Sequence, residues 1–286
     1  MKKKIVYTGY ITIVTVFFLY YLFPGDAVTS YINYKINSMS PDVKLSIKEL
    51  KPSFPPGIKL FATDLLRRNQ TIISADFLEI KPSYSSLFSK IKTFFIYGDI
   101  YKGHMDSSIR VADISTHPEF DIDASFGGIQ ISQIPAIKGF ESYQISGIAD
   151  GNLVFSNQEI KTGKGNAVIT ITESAVRFVP ALFDLEQLKF KTINADFKIV
   201  SQRVTLKNLD IDSRELSAHA GGSIILMNPI NKSTINIRGE IKPHPTFMKQ
   251  LGNIFPLEMI SKKKPKTGSI PFRITGSLEQ PNFSLR

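Results

Sequence analysis

The chain contains no cysteine. Disulfides, thiolate metal clusters and thiol nucleophiles are therefore excluded. Histidine is scarce: His104, His117, His219 and His244 are the four. They lie far apart, without the H-x-x-x-H type of spacing that turns two imidazoles toward one metal. Each reads as a surface or turn histidine. A G-x-S-x-G nucleophile elbow is missing, as are Walker and Rossmann phosphate loops. Gly163-Lys164-Gly165 leads into a β-pattern rather than a helix, so it is a turn and not a phosphate cradle. Asp121 with Asp123, and Asp210 with Asp212, are i,i+2 pairs whose carboxylates share one side of a strand. A solvated strand face accounts for such pairs without a metal or an acid/base role. No catalytic, cofactor-binding or metal-binding residue is assigned, and the chain is not expected to be an enzyme.

Acidic charge is also in deficit. The 286 residues carry a net charge of +10, three of those charges being Lys2, Lys3 and Lys4. A second cluster, Lys262-Lys263-Lys264-Pro265-Lys266, reads as a solvated linker, with an anionic partner or lipid head groups as the functional alternative. The basic residues are not interleaved with aromatics as a nucleic-acid platform requires, so nucleic acid is not an expected partner. Hydrophobic residues make up 42% and aromatics 11% of the chain, which suits a folded protein rather than a disordered one.

What the chain does have is one long uncharged run, Ile5 to Phe23, preceded by the three lysines and ended by Pro24-Gly25. Nineteen residues make a helix of roughly 28 Å, close to a hydrocarbon core of about 30 Å. Ile5, Val14, Phe18 and Phe23 represent its apolar content. Thr8, Thr12 and Thr15 can bond back to the helix's own carbonyls, and Tyr20 and Tyr21 sit where amphipathic rings favour an interface. The run is longer than a signal-peptide core and lacks a good cleavage site. The expectation is a transmembrane helix over 5–23 behind a cytoplasmic stub at 1–4. Lysines before the run and only Lys35 soon after it place the N-terminus inside and the bulk outside.

A short membrane-proximal helix follows over 24–40, with Val28, Tyr31, Ile32, Ile36 and Met39 at helical spacing. From 41 to 286 the period is mostly two. Runs rich in Ile, Val, Phe and Thr, punctuated by glycine, predict half-buried antiparallel strands. Interior glycines mark bulges and bends. The fold class is mainly β: a long, curved, mostly antiparallel sheet with a few short helices, over Ile134–Phe140, Val179–Leu188 and His244–Phe255, and a flexible loop at about 256–267. If one face of that sheet is an apolar groove, Phe120, Ile122, Ala124, Phe126, Phe197, Ile199, Ile235, Ile237, Phe272 and Ile274 are the residues expected on it.

Four segments carry a family resemblance: Leu22-Phe23-Pro24-Gly25 after the run; Pro55-Pro56-Gly57-Ile58-Lys59-Leu60; Gly221-Gly222-Ser223-Ile224-Ile225-Leu226 with Pro229, Asn236, Ile237, Gly239 and Pro243; and Phe272 to Leu285. In this order they resemble the type II secretion system protein N (GspN) family in its delta-proteobacterial form. The last segment is also similar to the AsmA-like envelope proteins, which build long β-sheets with an apolar groove. The first resemblance implies a non-catalytic, single-pass inner-membrane protein with a periplasmic β domain that works by contact with other secretion-system envelope proteins. The second implies a lipid-binding or lipid-transfer protein carrying phospholipid acyl chains. Neither implies a cofactor.

Overall fold

The computed structural model describes residues 2–39, 41–54, 56–67, 70–112, 119–140, 142–157, 163–182, 185–245 and 269–285. Two helices open the chain, α1 (Lys2–Tyr21) and α2 (Gly25–Met39). Fourteen strands follow: β1 (Val43–Ser53), β2 (Gly57–Arg67), β3 (Gln70–Pro82), β4 (Lys92–Ile100), β5 (Gly103–Val111), β6 (Phe120–Gln130), β7 (Tyr143–Ser156), β8 (Lys164–Leu182), β9 (Leu185–Val200), β10 (Arg203–Asp212), β11 (Leu216–Ile225), β12 (Thr234–Pro243), β13 (Ile270–Ser277) and β14 (Pro281–Leu285). One helical turn, α3 (Pro135–Lys138), lies between β6 and β7.

All fourteen strands form one antiparallel sheet whose spatial order is the sequence order. Most connections are short, because antiparallel neighbours need only a tight turn where parallel ones need a crossover; residues 244–269 between β12 and β13 are the long one. Left-handed residues and register shifts recur along it. Gly128 has φ 69° and coincides with the shift between Phe126 and Ile129 against β7. Such bulges bend a strand and increase its twist.

The sheet curls. The Tyr143 hydroxyl at the start of β7 donates to the Leu278 carbonyl beyond β13. In a flat sheet those strands stand six spacings apart, roughly 29 Å, so the contact requires strong curvature. At one sheet end Ile129, Ile131 and Ala149 are buried together, with Ile134 and Ile137 of the α3 segment packed on them. The α3 turn thereby stops that end. At the first edge, α2 lies along β1, and the Leu45 N–H donates to Asn33 Oδ1 at 3.3 Å. An edge donor that would otherwise invite another strand is satisfied from within the chain.

The helix expected over Val179–Leu188 is instead the β8–β9 hairpin, with Leu182 opposite Leu185. Pro180 explains the difference: proline in a helix interior removes a hydrogen bond and clashes with the preceding turn. The loop expected at 256–267, and all but the start of the helix expected from His244, lie outside the described residues.

The first helix forms where the apolar run predicts it, but it takes in the lysines and stops at Tyr21, short of Phe23. Among the described residues no helix is long and apolar enough to cross a membrane. The expected span over 5–23 is thus not supported by the fold. Tyrosines, threonines and Gly9 dilute the apolar residues within it.

Candidate functional site

Strand pairing places side chains in rows that cross the sheet, and on one face the rows are apolar. One row has a residue from every strand: Leu50, Leu60, Leu78, Gly98, Met105, Phe126, Gly151, Ile169, Ala195, Leu209, Ala220, Gly239, Phe272 and Leu285. None is polar. Two residues further along, a second row again crosses every strand, from Pro52, Ile58, Ile80 and Ile96 through Ser107 and Ala124 to Ile237, Ile274 and Phe283. Ser107 is its one polar member. A third runs from Pro82 and Phe94 through Ile122, Phe155, Ile199 and Ile235 to Pro281. On the other side of the first row lie Ile129, Ala149, Ile171, Ile193, Ile211, Ala218, Ile241 and Ile270. Four rows two residues apart cover about 20 Å along the strands.

The opposite face is more polar, although Phe61, Phe77, Phe95 and Val154 also lie on it. Its central row reads Lys51, Lys59, Glu79, Tyr97, Asp106, Ser125, Asn152, Val168 and Asp196. There Glu79 receives a hydrogen bond from the Ser53 hydroxyl and pairs with Lys81 at 2.9 Å. The Ser53 bond first, then Lys81 and Lys59, hold its carboxyl below the usual carboxylate range against the opposing effect of desolvation.

Glycines on the apolar face are seated under large neighbours in the same row. A Cβ on Gly151 would come within 2.8 Å of the Phe126 ring, and one on Gly239 within 2.8 Å of the Phe272 ring. The neighbouring strand's backbone also closes in, through the Val168 carbonyl at Gly151 and the His219 carbonyl at Gly239. Removing side chains at intervals lets the sheet close on its apolar side. That curvature buries part of each apolar residue: Leu60, Ile129, Leu206, Ile235 and Phe272 are among the buried ones. Most of their row neighbours remain half-buried.

All ten residues named from the sequence lie on this face. Ala124, Phe197, Ile237 and Ile274 share the second row; Ile122, Ile199 and Ile235 share the third; Phe126 and Phe272 belong to the first; and Phe120 lies opposite Val111 beyond the third. The ring of Phe120 is 6.1 Å from that of Phe155. The sequence reading missed the contribution of β1–β5, β7–β8, β10–β11 and β14, including Leu50, Leu78, Ile96, Leu153, Ile169 and Leu209. Their period-two signal was there, interrupted by glycines and bulges.

Two tyrosines lie at the margins. The Ser74 N–H donates to the Tyr101 hydroxyl at 3.1 Å, and Tyr143 reaches Leu278 as described. Burial raises both hydroxyls above the ordinary tyrosine range, with Glu279 adding to the effect at Tyr143. Between α2 and β1 is a cleft of about 570 Å³ lined by Asn33, Asn37, Leu45, Ile47 and Leu66 among others. It is the seam of the edge-guarding helix.

The histidines and paired aspartates are dispersed. His219 Nδ1 pairs with Asp210 on the polar face. Asp121 lies 3.7 Å from Arg110. His117 lies outside the described residues. Among the described residues no group of three or more His, Asp or Glu side chains could hold a metal ion. No family model, curated protein or solved structure matches the chain. The rows of the sheet therefore carry the functional reading.

Proposed function

We propose that this chain is a membrane-held, non-catalytic carrier whose apolar sheet face shelters the acyl chains of a phospholipid. One observation carries the reading: a row of fourteen side-chain positions, one per strand, without a polar residue. A single-layer sheet that needed only a core would bury such a face under a second layer. Here α3 stops one end and most of the row residues stay half-buried. An acyl chain laid along them gains about 0.8 kcal/mol per methylene removed from water. Sites for such ligands are mostly apolar with few polar groups, which is the composition of these rows.

In this reading α1 holds the protein at the bacterial inner membrane as a single-pass anchor, with its N-terminus cytoplasmic and the sheet in the periplasm. Ile5, Ile13 and Phe17 are 69%, 71% and 61% exposed, and apolar side chains left uncovered on a helix call for apolar surroundings. Its hydroxyls lessen the cost: Thr8 Oγ1 donates to the Lys4 carbonyl at 3.0 Å and Thr12 Oγ1 to that of Thr8 at 2.9 Å. Mass spectrometry of the protein extracted from membranes tests the carrier function. Co-purifying phospholipid is expected; its absence, with no uptake of added lipid, overturns the reading.

A second reading, a component of the type II secretion pathway acting by protein contact, is favoured by the contrast between the sheet's two edges. The first is guarded by α2, whereas among the described residues β14 pairs only with β13 and exposes Phe283. A free edge can accept a strand from another protein. Crosslinking in membranes from a native host checks it. Recovery of secretion-system envelope proteins through β14 supports this reading, and their absence removes it.

A further inference from the structure

The first sheet edge has an end that neither the apolar rows nor the free edge explains. At the β1–β2 turn Phe54 is 76% exposed, and in the β3–β4 loop Phe88 is 98% exposed. Tyr84, Leu87 and Ile91 of the same loop are exposed as well. The two turns adjoin, since the Tyr84 hydroxyl donates to the Pro56 carbonyl at 3.2 Å. A single exposed apolar side chain is ordinary, but five on adjoining turns make a patch with a purpose.

The loop is built to leave water. Its backbone closes on itself: the Ser86 N–H donates to the Ser83 carbonyl at 3.0 Å, the Leu87 N–H to Tyr84 at 3.3 Å and the Ser89 N–H to Ser86 at 3.0 Å. Serine hydroxyls satisfy more of it, with the Thr93 N–H donating to Ser86 Oγ at 2.9 Å and Ser89 Oγ donating to the Ser86 carbonyl at 3.0 Å. Lys92 Nζ donates to the Leu87 carbonyl at 2.5 Å. Backbone polar groups must be met internally before a segment can enter an apolar medium. Residues 83–92 contain two lysines, Lys90 and Lys92, and no acidic residue, which suits an anionic head-group layer. The patch also lies where α1 ends. A Cβ on Gly25, the first residue of α2, would meet the Leu50 carbonyl at 2.7 Å, near the end of β1 that turns at Phe54.

We propose that the β1–β2 turn and the β3–β4 loop form a second membrane contact, a tip that enters the lipid interface beside α1 and sets this end of the apolar rows against the bilayer. The inference rests on the reading that α1 lies in the membrane. Aromatic and aliphatic side chains enter the head-group boundary while Lys90 remains at the phosphates. A lipid leaving the bilayer then meets the rows with little exposure to water.

The chain has no tryptophan, so a single introduced indole reports without background. Full-length F88W, F18W and V168W are compared in vesicles of phosphatidylcholine and phosphatidylglycerol containing brominated lipid. Val168 is an exposed residue of the polar face and serves as the solvent reference. The F88W emission is expected to shift to the blue and be quenched by bromines near the head groups, with V168W unaffected. Adding K90Q to F88W, which removes one positive charge worth about 1 kcal/mol, is expected to shift the docked-to-undocked ratio by about fivefold toward undocked. F18W quenched with F88W no different from V168W overturns the tip and leaves the anchor standing. Neither F18W nor F88W quenched overturns both. F88W quenched without F18W removes the anchor and supports the tip.

Discussion

Gly151→Ala tests whether the missing side chains set the curvature of the sheet. Gly151 stands in the first apolar row between Phe126 and Ile169. A Cβ there would sit 2.8 Å from the Phe126 ring and closer still to the Val168 carbonyl, where real Cβ atoms keep beyond 3.0 Å. The ring can rotate away, but the carbonyl belongs to the β8 backbone and is held by its ladder. Forcing one methyl into such a site costs about 1–3 kcal/mol. For a domain of this size, 2 kcal/mol lowers the Tm by roughly 4–8 °C. Gly139→Ala is the matched control, since nothing lies within 4 Å of its added Cβ and its φ is −79°. That change is expected to be neutral or to stabilise by about 0.4–1 kcal/mol through the unfolded chain. Thermal unfolding followed by far-ultraviolet circular dichroism measures both. Equal Tm values for the two variants would refute the argument that backbone approach at the row glycines shapes the sheet.

Other perturbations probe the margins and the face. Glu79 is held below its ordinary value in the folded state, so its contribution is present above about pH 4.5 and is lost as pH falls through the folded value. Glu79→Gln should cost about 1 kcal/mol at neutral pH and flatten the acid limb of a Tm–pH profile; an unchanged acid limb counts against the assigned role of Ser53 and Lys81. Tyr101 and Tyr143 have raised values, so the unfolded chain ionises first and stability falls as pH rises beyond about 10. Tyr143→Phe removes the link to Leu278 at a cost of about 1 kcal/mol and should reduce that alkaline loss, which pH-dependent unfolding measures. Ile237→Lys places a charge on the second row without altering the polar face. If acyl chains lie there, it should lower lipid uptake at least about tenfold, because an unpaired charge in an apolar site costs well over 1.4 kcal/mol.

Alternation made the strands legible, and with them the shared face of Phe120, Ile122, Ala124 and Phe126. It failed where its period was broken. Gly128 is an extra residue between Phe126 and Ile129, so Ile129 falls out of step in the sequence while returning to the same face in the fold. The left-handed residues Ala62 in β2 and Glu173 in β8, and the register shifts of β2 against β3 and of β3 against β4, interrupt period two in the same way. The β8–β9 hairpin was mistaken for a helix because apolar residues around a tight reversal imitate helical spacing; Pro180 argued otherwise. Nothing in the sequence shows that the loop carrying Phe88 adjoins Phe54. That proximity comes from the pairing of β1 with β2 and β2 with β3.

The strict sequential order of the strands has a consequence for how the molecule is made and how it changes. Each new strand docks on the one synthesised just before it, so the sheet can grow as the chain emerges, without waiting for a distant partner. Loop-closure cost is met in mostly small steps, the long one being residues 244–269 between β12 and β13. The same order makes the hairpin a unit of length. Inserting or deleting a pair of strands in the middle changes how far the apolar rows extend, while the helix-guarded start and the final strand stay as they are. Selection can thus set the reach of this sheet two strands at a time, without inventing a new fold.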